Sequence, residues 1–300
     1  MSGVGKPGWR GAVLAVHAGA WSGWGLRCGL PVGLLLCWTV PALAHDPFGA
    51  GQPDRLPLLA GAVLMAAAWL LYLRGARLRP PSPGARFAFN AGMAIAVLAV
   101  FGPLDEWAES STAMHMIQHM AFMVLIAPLW ALAGPLPQWR AALGGRGRPL
   151  WRALMRAGRL PAATATVHGA MVWVWHVPAL YLLALEDPWW HMVEHACFLF
   201  TAWLFWWAAL RAARAGVGAA LVAVTVTLMH TGLLGALMTF ATVSFYGPER
   251  SVADQQLAGL IMWVPGSLFY LAGAGWMTWR WLERGQVPER AVIAREEESG

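Results

Sequence analysis

Charge is what this sequence has least of. Only 12% of its 300 residues are Asp, Glu, Lys or Arg, against about a quarter in ordinary soluble domains. That scarcity excludes a disordered chain, whose solubility rests on net charge, and the clustered basic face of a nucleic-acid-binding protein. Lysine is nearly missing: Lys6 stands alone beside twenty arginines. Cysteine is scarce too. Cys28, Cys37 and Cys197 are the three, with no CxxC spacing, so neither a disulfide framework nor a thiolate metal site is available. Any soft-metal chemistry falls to His and Met. What the chain has instead is apolar surface: 58% hydrophobic residues, with 20 Trp and 14 Met, and a mean hydropathy of +0.52. One soluble core of this size cannot hide so much. The chain reads as an integral membrane protein.

Lys6, Arg10 and Arg27 precede an apolar run over residues 30–44 that ends Ala42-Leu43-Ala44. Fifteen apolar residues are short for a span, and small residues two apart suit signal-peptidase cleavage. Residues 1–44 therefore read as a signal peptide, longer than usual, with His45 at the new terminus; an uncleaved helix is the alternative. Both place residue 45 outside the cytoplasm. Seven apolar runs follow, at 56–73, 87–101, 114–133, 162–185, 191–210, 217–240 and 255–279. Lipid offers no partner to unpaired backbone, so each reads as a helix. Pro128, Pro178 and Pro265 lie inside three of them and should kink them.

The arginines orient the chain. Four (Arg74, Arg77, Arg79, Arg86) lie between runs one and two, six (Arg140, Arg146, Arg148, Arg152, Arg156, Arg159) between three and four, two (Arg211, Arg214) between five and six, and four (Arg280, Arg284, Arg290, Arg295) after run seven. The opposite side has only Arg55 and Arg250. Basic loops stay in the cytoplasm. The expectation is an all-α polytopic bundle of seven transmembrane helices over residues 45–282, N-terminus outside, C-terminus inside, with residues 283–300 as a short cytoplasmic tail. It belongs in the cell membrane, inner or plasma, as a multi-pass protein.

Histidine carries the chemistry. His115 and His119 stand four apart at the outer start of run three, and His191 and His195 repeat that spacing at the outer start of run five. Residues i and i+4 share a helix face, and helical bundles build metal sites from such pairs on facing helices. Ionisable groups inside spans are expensive and usually functional. Any single His also reads as a cap or a hydrogen-bonded core residue. The two pairs resemble each other further: His115-Met116-Ile117-Gln118-His119 with Phe122, and His191-Met192-Val193-Glu194-His195 with Phe198, at one offset of 76 residues. Pro103 and Pro178 precede them at similar distances, which suggests parallel repeats of runs two–three and four–five. At the matching start of run seven stands Asp254, a carboxylate to balance a cation. The four histidines are expected to converge, with His176 and Asp254 lining the site and Glu194, Gln118, Met116 and Met192 around it. Glu194 would orient an imidazole. Imidazole and thioether donors suit copper rather than calcium, and affinity should fall in acid as ligands protonate. Residues 191–195 also spell H-x-x-E-H, a zinc-peptidase pattern. Here it opens a membrane span and its twin has Gln118 in place of the Glu, so peptidase chemistry is not the reading.

These residues resemble a known family. His115-Met116-Ile117-Gln118-His119-Met120 with Ala127-Pro128-Leu129 and Ala133-Gly134-Pro135 is similar to the third-span motif of the CtaG-type assembly factors of caa-type cytochrome c oxidases. Trp175-His176-Val177-Pro178-Ala179-Leu180-Tyr181 resembles the fourth, His191–His195 with Phe205-Trp206-Trp207 the fifth, and Asp254-Gln255-Gln256-Leu257-Ala258-Gly259 with Met262-Trp263 the seventh. Ala258 stands where a second glycine is expected. The resemblance spans about residues 56–282. It implies a membrane protein, not an enzyme, that assists oxidase assembly by supplying copper to the CuB centre. Its implied partners are oxidase subunits, the lipid bilayer and a periplasmic copper donor, with no nucleic acid. Two other readings stay open: a b-type haem held by facing histidines, and a metal-free assembly scaffold.

Overall fold

Proline writes many of the helix boundaries. Pro83, Pro103, Pro161, Pro178 and Pro188 each open a helix, where a missing N–H removes no intrahelical bond. The computed structural model describes residues 55–144, 146–212 and 216–299; the signal-peptide reading of residues 1–44 and the new terminus at His45 lie outside them. Among the described residues the elements of regular structure are all helices: α1 (Arg55–Leu78), α2 (Pro83–Phe101), α3 (Pro103–Ser110), α4 (Thr112–Met120), a π segment (Ala121–Ile126), α5 (Ala127–Ala133), α6 (Leu136–Ala142), α7 (Arg148–Ala157), α8 (Pro161–Trp175), α9 (Pro178–Glu186), α10 (Pro188–Leu210), α11 (Val217–Thr239) and α12 (Val252–Ser299).

Six helices are long and apolar enough to cross a membrane: α1, α2, the α4–α5 stretch, α10, α11 and α12 to Glu283. The expected fourth run is broken into α8 and α9, bent by 74°. The cause is local. Val177 precedes Pro178, and a residue before proline is barred from the helical region; Val177 is extended, at φ −63 and ψ 128. Pro128 acts differently. It leaves the helix running but widens it into the π segment, where Ala127 N–H reaches back to Phe122 O. In that register proline's missing N–H strands Met123 O, and the Trp206 indole of α10 donates to it at 2.8 Å. Pro265 interrupts nothing: α12 runs through it as one helix and on past residue 283 to Ser299. Unlike Val177-Pro178, it does not break its helix.

The repeat is visible in the helix boundaries. α2 leads through Gly102 into an eight-residue helix, then a capping Ser111, then α4; α8 leads through His176-Val177 into a nine-residue helix, then a capping Asp187, then α10. Ser111 Oγ accepts from Met114 N–H, and Asp187 from Trp189 and Trp190 N–H, each filling orphan donors of a first turn. The residue four past each cap is a histidine whose N–H bonds the cap carbonyl at 3.0 Å. α11–α12 forms a third such hairpin: Gln255 N–H bonds Ser251 O at the same 3.0 Å.

α11 and α12 meet through glycine. A Cβ on Gly259 would stand 2.5 Å from Gly235 O, and one on Gly235 would stand 2.8 Å from Gly259 O; small residues let membrane helices close in this way. α5 ends on Gly134, left-handed at φ 57. Arg211, just past α10, donates to Ala131 O and Leu132 O at 3.0 and 3.1 Å, filling orphan carbonyls of that helix end. A belt of exposed Val63, Leu64, Leu98, Val222, Val226 and Leu268 faces outward, as lipid requires. α4, the π segment, α8 and α10 form the interior, around Phe198, Phe205 and Trp206.

Candidate metal centre

α4 and α10 each present two imidazoles one turn apart, with 4.1 Å between ring centroids within each pair. Across the α4–α10 contact His115 stacks on His191 at 5.3 Å and His119 meets His195 edge-on at 5.6 Å. His115 and His119 are buried, at 0 and 1% exposure, and His191 and His195 are half-buried. The four expected histidines converge, turned into the bundle.

At their centre is Glu194, fully buried. Its Oε2 lies 3.5 Å from Nε2 of both His115 and His119. Donor atoms of His115, His191 and Glu194 lie within 4.8 Å of one another, and so do those of His119, Glu194 and His195. Glu194 belongs to both groups and joins them. At 3.5 Å the carboxylate attracts these rings, at the long limit of hydrogen-bond contact. Both ring nitrogens of His115 and His119, Nε2 of His191 and His195, and both Glu194 oxygens are buried without a hydrogen-bond partner. Buried polar atoms are nearly always satisfied in native proteins. Such a concentration of orphans around one carboxylate is an arrangement that could hold a cation.

His176 stands in the break between α8 and α9. Its Nδ1 donates to Val172 O at 2.7 Å, which fixes the neutral tautomer and leaves a buried, unpartnered Nε2. It lies within electrostatic range of His115, His119 and Glu194. Tyr181 of α9 sits edge-on to His115 at 5.3 Å, and Tyr246, from the connection between α11 and α12, stacks on Tyr181 at 3.7 Å. Both tyrosines are 2% exposed. Burial raises the Tyr246 hydroxyl pKa above its ordinary value, so the phenol stays protonated and neutral. These aromatics cover the histidines on the cap side.

Other expected neighbours are held elsewhere. Asp254 accepts from Ser111 Oγ at 2.8 Å and from Thr112 and Ala113 N–H at 2.5 and 3.4 Å. Its carboxylate caps α4 instead of joining the converging donors, because a helix N-terminus is a ready anion site. Gln118 donates to Ala99 O at 2.8 Å and Asp105 Oδ1 at 2.6 Å. Ala99 O is the carbonyl that Pro103, lacking N–H, leaves free. Met192 turns its sulfur toward Gly61 of α1, and Met116 packs in the core. His168 lies deeper, with Nδ1 3.1 Å from Thr201 Oγ1.

In sequence Glu194 stands beside one imidazole; in the fold it stands among four. Sequence reasoning missed Tyr181 and Tyr246 as a cover, for which a lone tyrosine gives no signal. Gln255 was read only as part of a motif. It occupies the position of the first histidine in the third hairpin, fully buried, accepting from Phe245 N–H at 2.7 Å.

No curated protein and no solved structure matches the chain. Residues 62–284 match the family described as cytochrome c oxidase caa3 assembly factor (Caa3_CtaG). That match takes in every helix from the latter part of α1 to α12, together with the histidine cluster, and the chain belongs to the cytochrome c oxidase caa3 assembly factor family.

Proposed function

We propose that this protein binds copper between α4 and α10 and passes it to an oxidase undergoing assembly, at its CuB centre. It crosses the membrane seven times, α8–α9 being the broken crossing. The caps Ser111, Asp187 and Ser251 face outward and the arginine-rich connections face the cytoplasm. The protein is a carrier and not an enzyme.

One observation carries this reading: unpartnered ring nitrogens from two helices gather around the buried Glu194 carboxylate. Imidazole suits copper, zinc and nickel alike, and the family's oxidase role favours copper among them. The ligands are His115, His119, His191, His195 and Glu194, with His176 adjacent. Asp254 positions α4, the helix that brings two of the four imidazoles. A carrier must also release its cargo, and the half-buried His191 and His195 are the exposed side of the set. Haem fits the geometry poorly: a porphyrin lies flat between its axial ligands, and these rings are already in contact across the helices, with Glu194 among them.

The test is metal analysis of the purified full chain after incubation with copper, beside a variant with His115, His119, His191 and His195 all changed to Ala. Stoichiometric copper in the wild type and its loss in the variant are expected. Equal copper in both would leave the scaffold reading in its place. A Soret band in the wild type would establish haem instead.

A further inference from the structure

The far side of the bundle holds a feature unconnected with the histidines. Residues 134–160 contain six arginines and no Asp or Glu. In α7, Arg148, Arg152 and Arg156 recur every four residues and so share one face. With Arg140 of α6 and Arg159 beyond α7 they line a cleft of about 520 Å³. Guanidiniums gathered on one face with no acid in their own segment make a positive surface that favours an anion.

The cleft has an apolar neighbour. A groove of about 380 Å³ is lined by Trp130, Leu136, Trp139, Leu154, Phe200 and Trp203, among other apolar residues. Trp151 lines both. Its indole is anchored by donation to Arg146 O at 2.6 Å, which holds the ring where the two spaces adjoin. Phe200, about half exposed, opens the groove outward from α10. An acidic cleft-filler and an apolar groove-filler in adjoining spaces describe one amphiphilic molecule. Basic pockets on the cytoplasmic side of membrane helices bind anionic headgroups.

We infer that α7 forms a binding site for an anionic phospholipid, its phosphate held by Arg148, Arg152 and Arg156 and an acyl chain lying along Trp151 into the groove. The guanidinium fork pairs with phosphate oxygens two at a time. The lipid would wedge α7 against α10, filling the groove between them.

The test uses the full chain in detergent, offered phosphatidylglycerol or phosphatidylcholine of the same acyl chains, with retained lipid counted by native mass spectrometry. The wild type should keep one phosphatidylglycerol and release phosphatidylcholine. The triple variant Arg148→Gln, Arg152→Gln, Arg156→Gln should bind about a hundredfold more weakly, from a factor of roughly five per arginine near a membrane surface. The matching triple Lys variant keeps the charge but lacks the fork, and should bind more weakly than wild type yet well above the Gln variant, which separates the site from a folding defect. Arg74→Gln with Arg77→Gln, in a different basic connection, should change nothing. Equal retention of the two lipids, or unchanged retention by the Gln variant, would overturn the proposal and leave these arginines to an acidic protein partner. Displacement of the lipid by millimolar inorganic phosphate would also overturn it, because the groove would then contribute nothing.

Discussion

Replacing Glu194 by Gln tests the centre more sharply than removing any one histidine. The substitution keeps the side chain's shape and takes away its charge. Glu194 Oε2 lies 3.5 Å from Nε2 of both His115 and His119, so a cation bound to those rings sits roughly 4 Å or less from the carboxylate. At that separation a unit charge pair is worth about 4 kcal/mol at an effective dielectric of about 20. Part of this is returned, because the uncharged Gln no longer has to be held desolvated in the empty protein. A net loss of about 3 kcal/mol remains, or about two decades in Kd. The assay is copper competition between the purified protein and a chromophoric chelator, with E194Q beside wild type. Gln118→Leu is the internal control: it removes the residue at the twin position, which is tied to Ala99 and Asp105, and should leave Kd within about threefold. An E194Q Kd within tenfold of wild type would refute the central place of this carboxylate. It would leave Glu194 the lesser task of orienting imidazoles, at the weak end of the 10–100-fold range typical of such partners.

Four further outcomes follow from the same structure. Alkaline phosphatase fused after Gly147 should be inactive, because the surrounding arginines hold that connection in the cytoplasm; strong activity would reverse the orientation. Asp254→Ala should lower stability by about 1 kcal/mol through the lost cap on α4, read by thermal unfolding in detergent, with copper affinity within tenfold of wild type; a loss as large as that of E194Q would make Asp254 a ligand. Gly259→Leu should destabilise by 1–3 kcal/mol or more through overpacking, because its Cβ would stand 2.5 Å from Gly235 O; Gly84→Ala, with nothing within 4 Å of its Cβ, is the control. Gln255→Ala should speed copper release to an excess of chelator by about tenfold or more, at roughly 1–3 kcal/mol for the backbone donor left unpaired, because Gln255 holds the Phe245–Tyr246 segment; an unchanged rate would separate that segment from gating.

Much of the fold was legible because membrane helices and their proline punctuation are written locally. The apolar runs and both HxxxH faces needed only helical periodicity. The break at Val177-Pro178 was foreseen as a kink, and its size, 74°, comes from the short α9 folding back over the site. Glu194 was misjudged for a specific reason. Glu194 and Gln118 sit at the same step from their caps, about 60° around the helix from the first histidine. In α4 that direction meets the α2–α3 corner, where Pro103 leaves a carbonyl to be filled. In α10 it meets α4. Equivalent positions in a repeat face different neighbours, and sequence alone gives the position without the neighbour. Asp254 failed in a related way. Its charge is at the right depth, but the bare N–H groups of Thr112 and Ala113 are nearer and need an acceptor.

The three hairpins explain why the centre is two-sided. Four residues past the cap they carry His115, His191 and Gln255, and eight past it His119, His195 and Gly259. The third cannot offer a ligand at its second position. A Cβ on Gly259 would collide with Gly235 O at 2.5 Å and with Thr239 N at 2.6 Å, so the close packing of α11 on α12 admits only glycine there. At its first position the third hairpin uses an amide, and that amide is turned to the backbone of its own connection, accepting from Phe245 N–H. The connection it pins carries Tyr246 onto Tyr181, and Tyr181 onto His115. The same structural slot thus delivers donors from two hairpins and a cover from the third. Asp254, one residue before that slot, ties the covering hairpin to α4 through Ser111 and Thr112. Cover and donors are therefore coupled through this carboxylate as well as through the stacked tyrosines, and a shift of α12 at its N-terminal end bears on both the aromatic cover and the helix that carries His115 and His119.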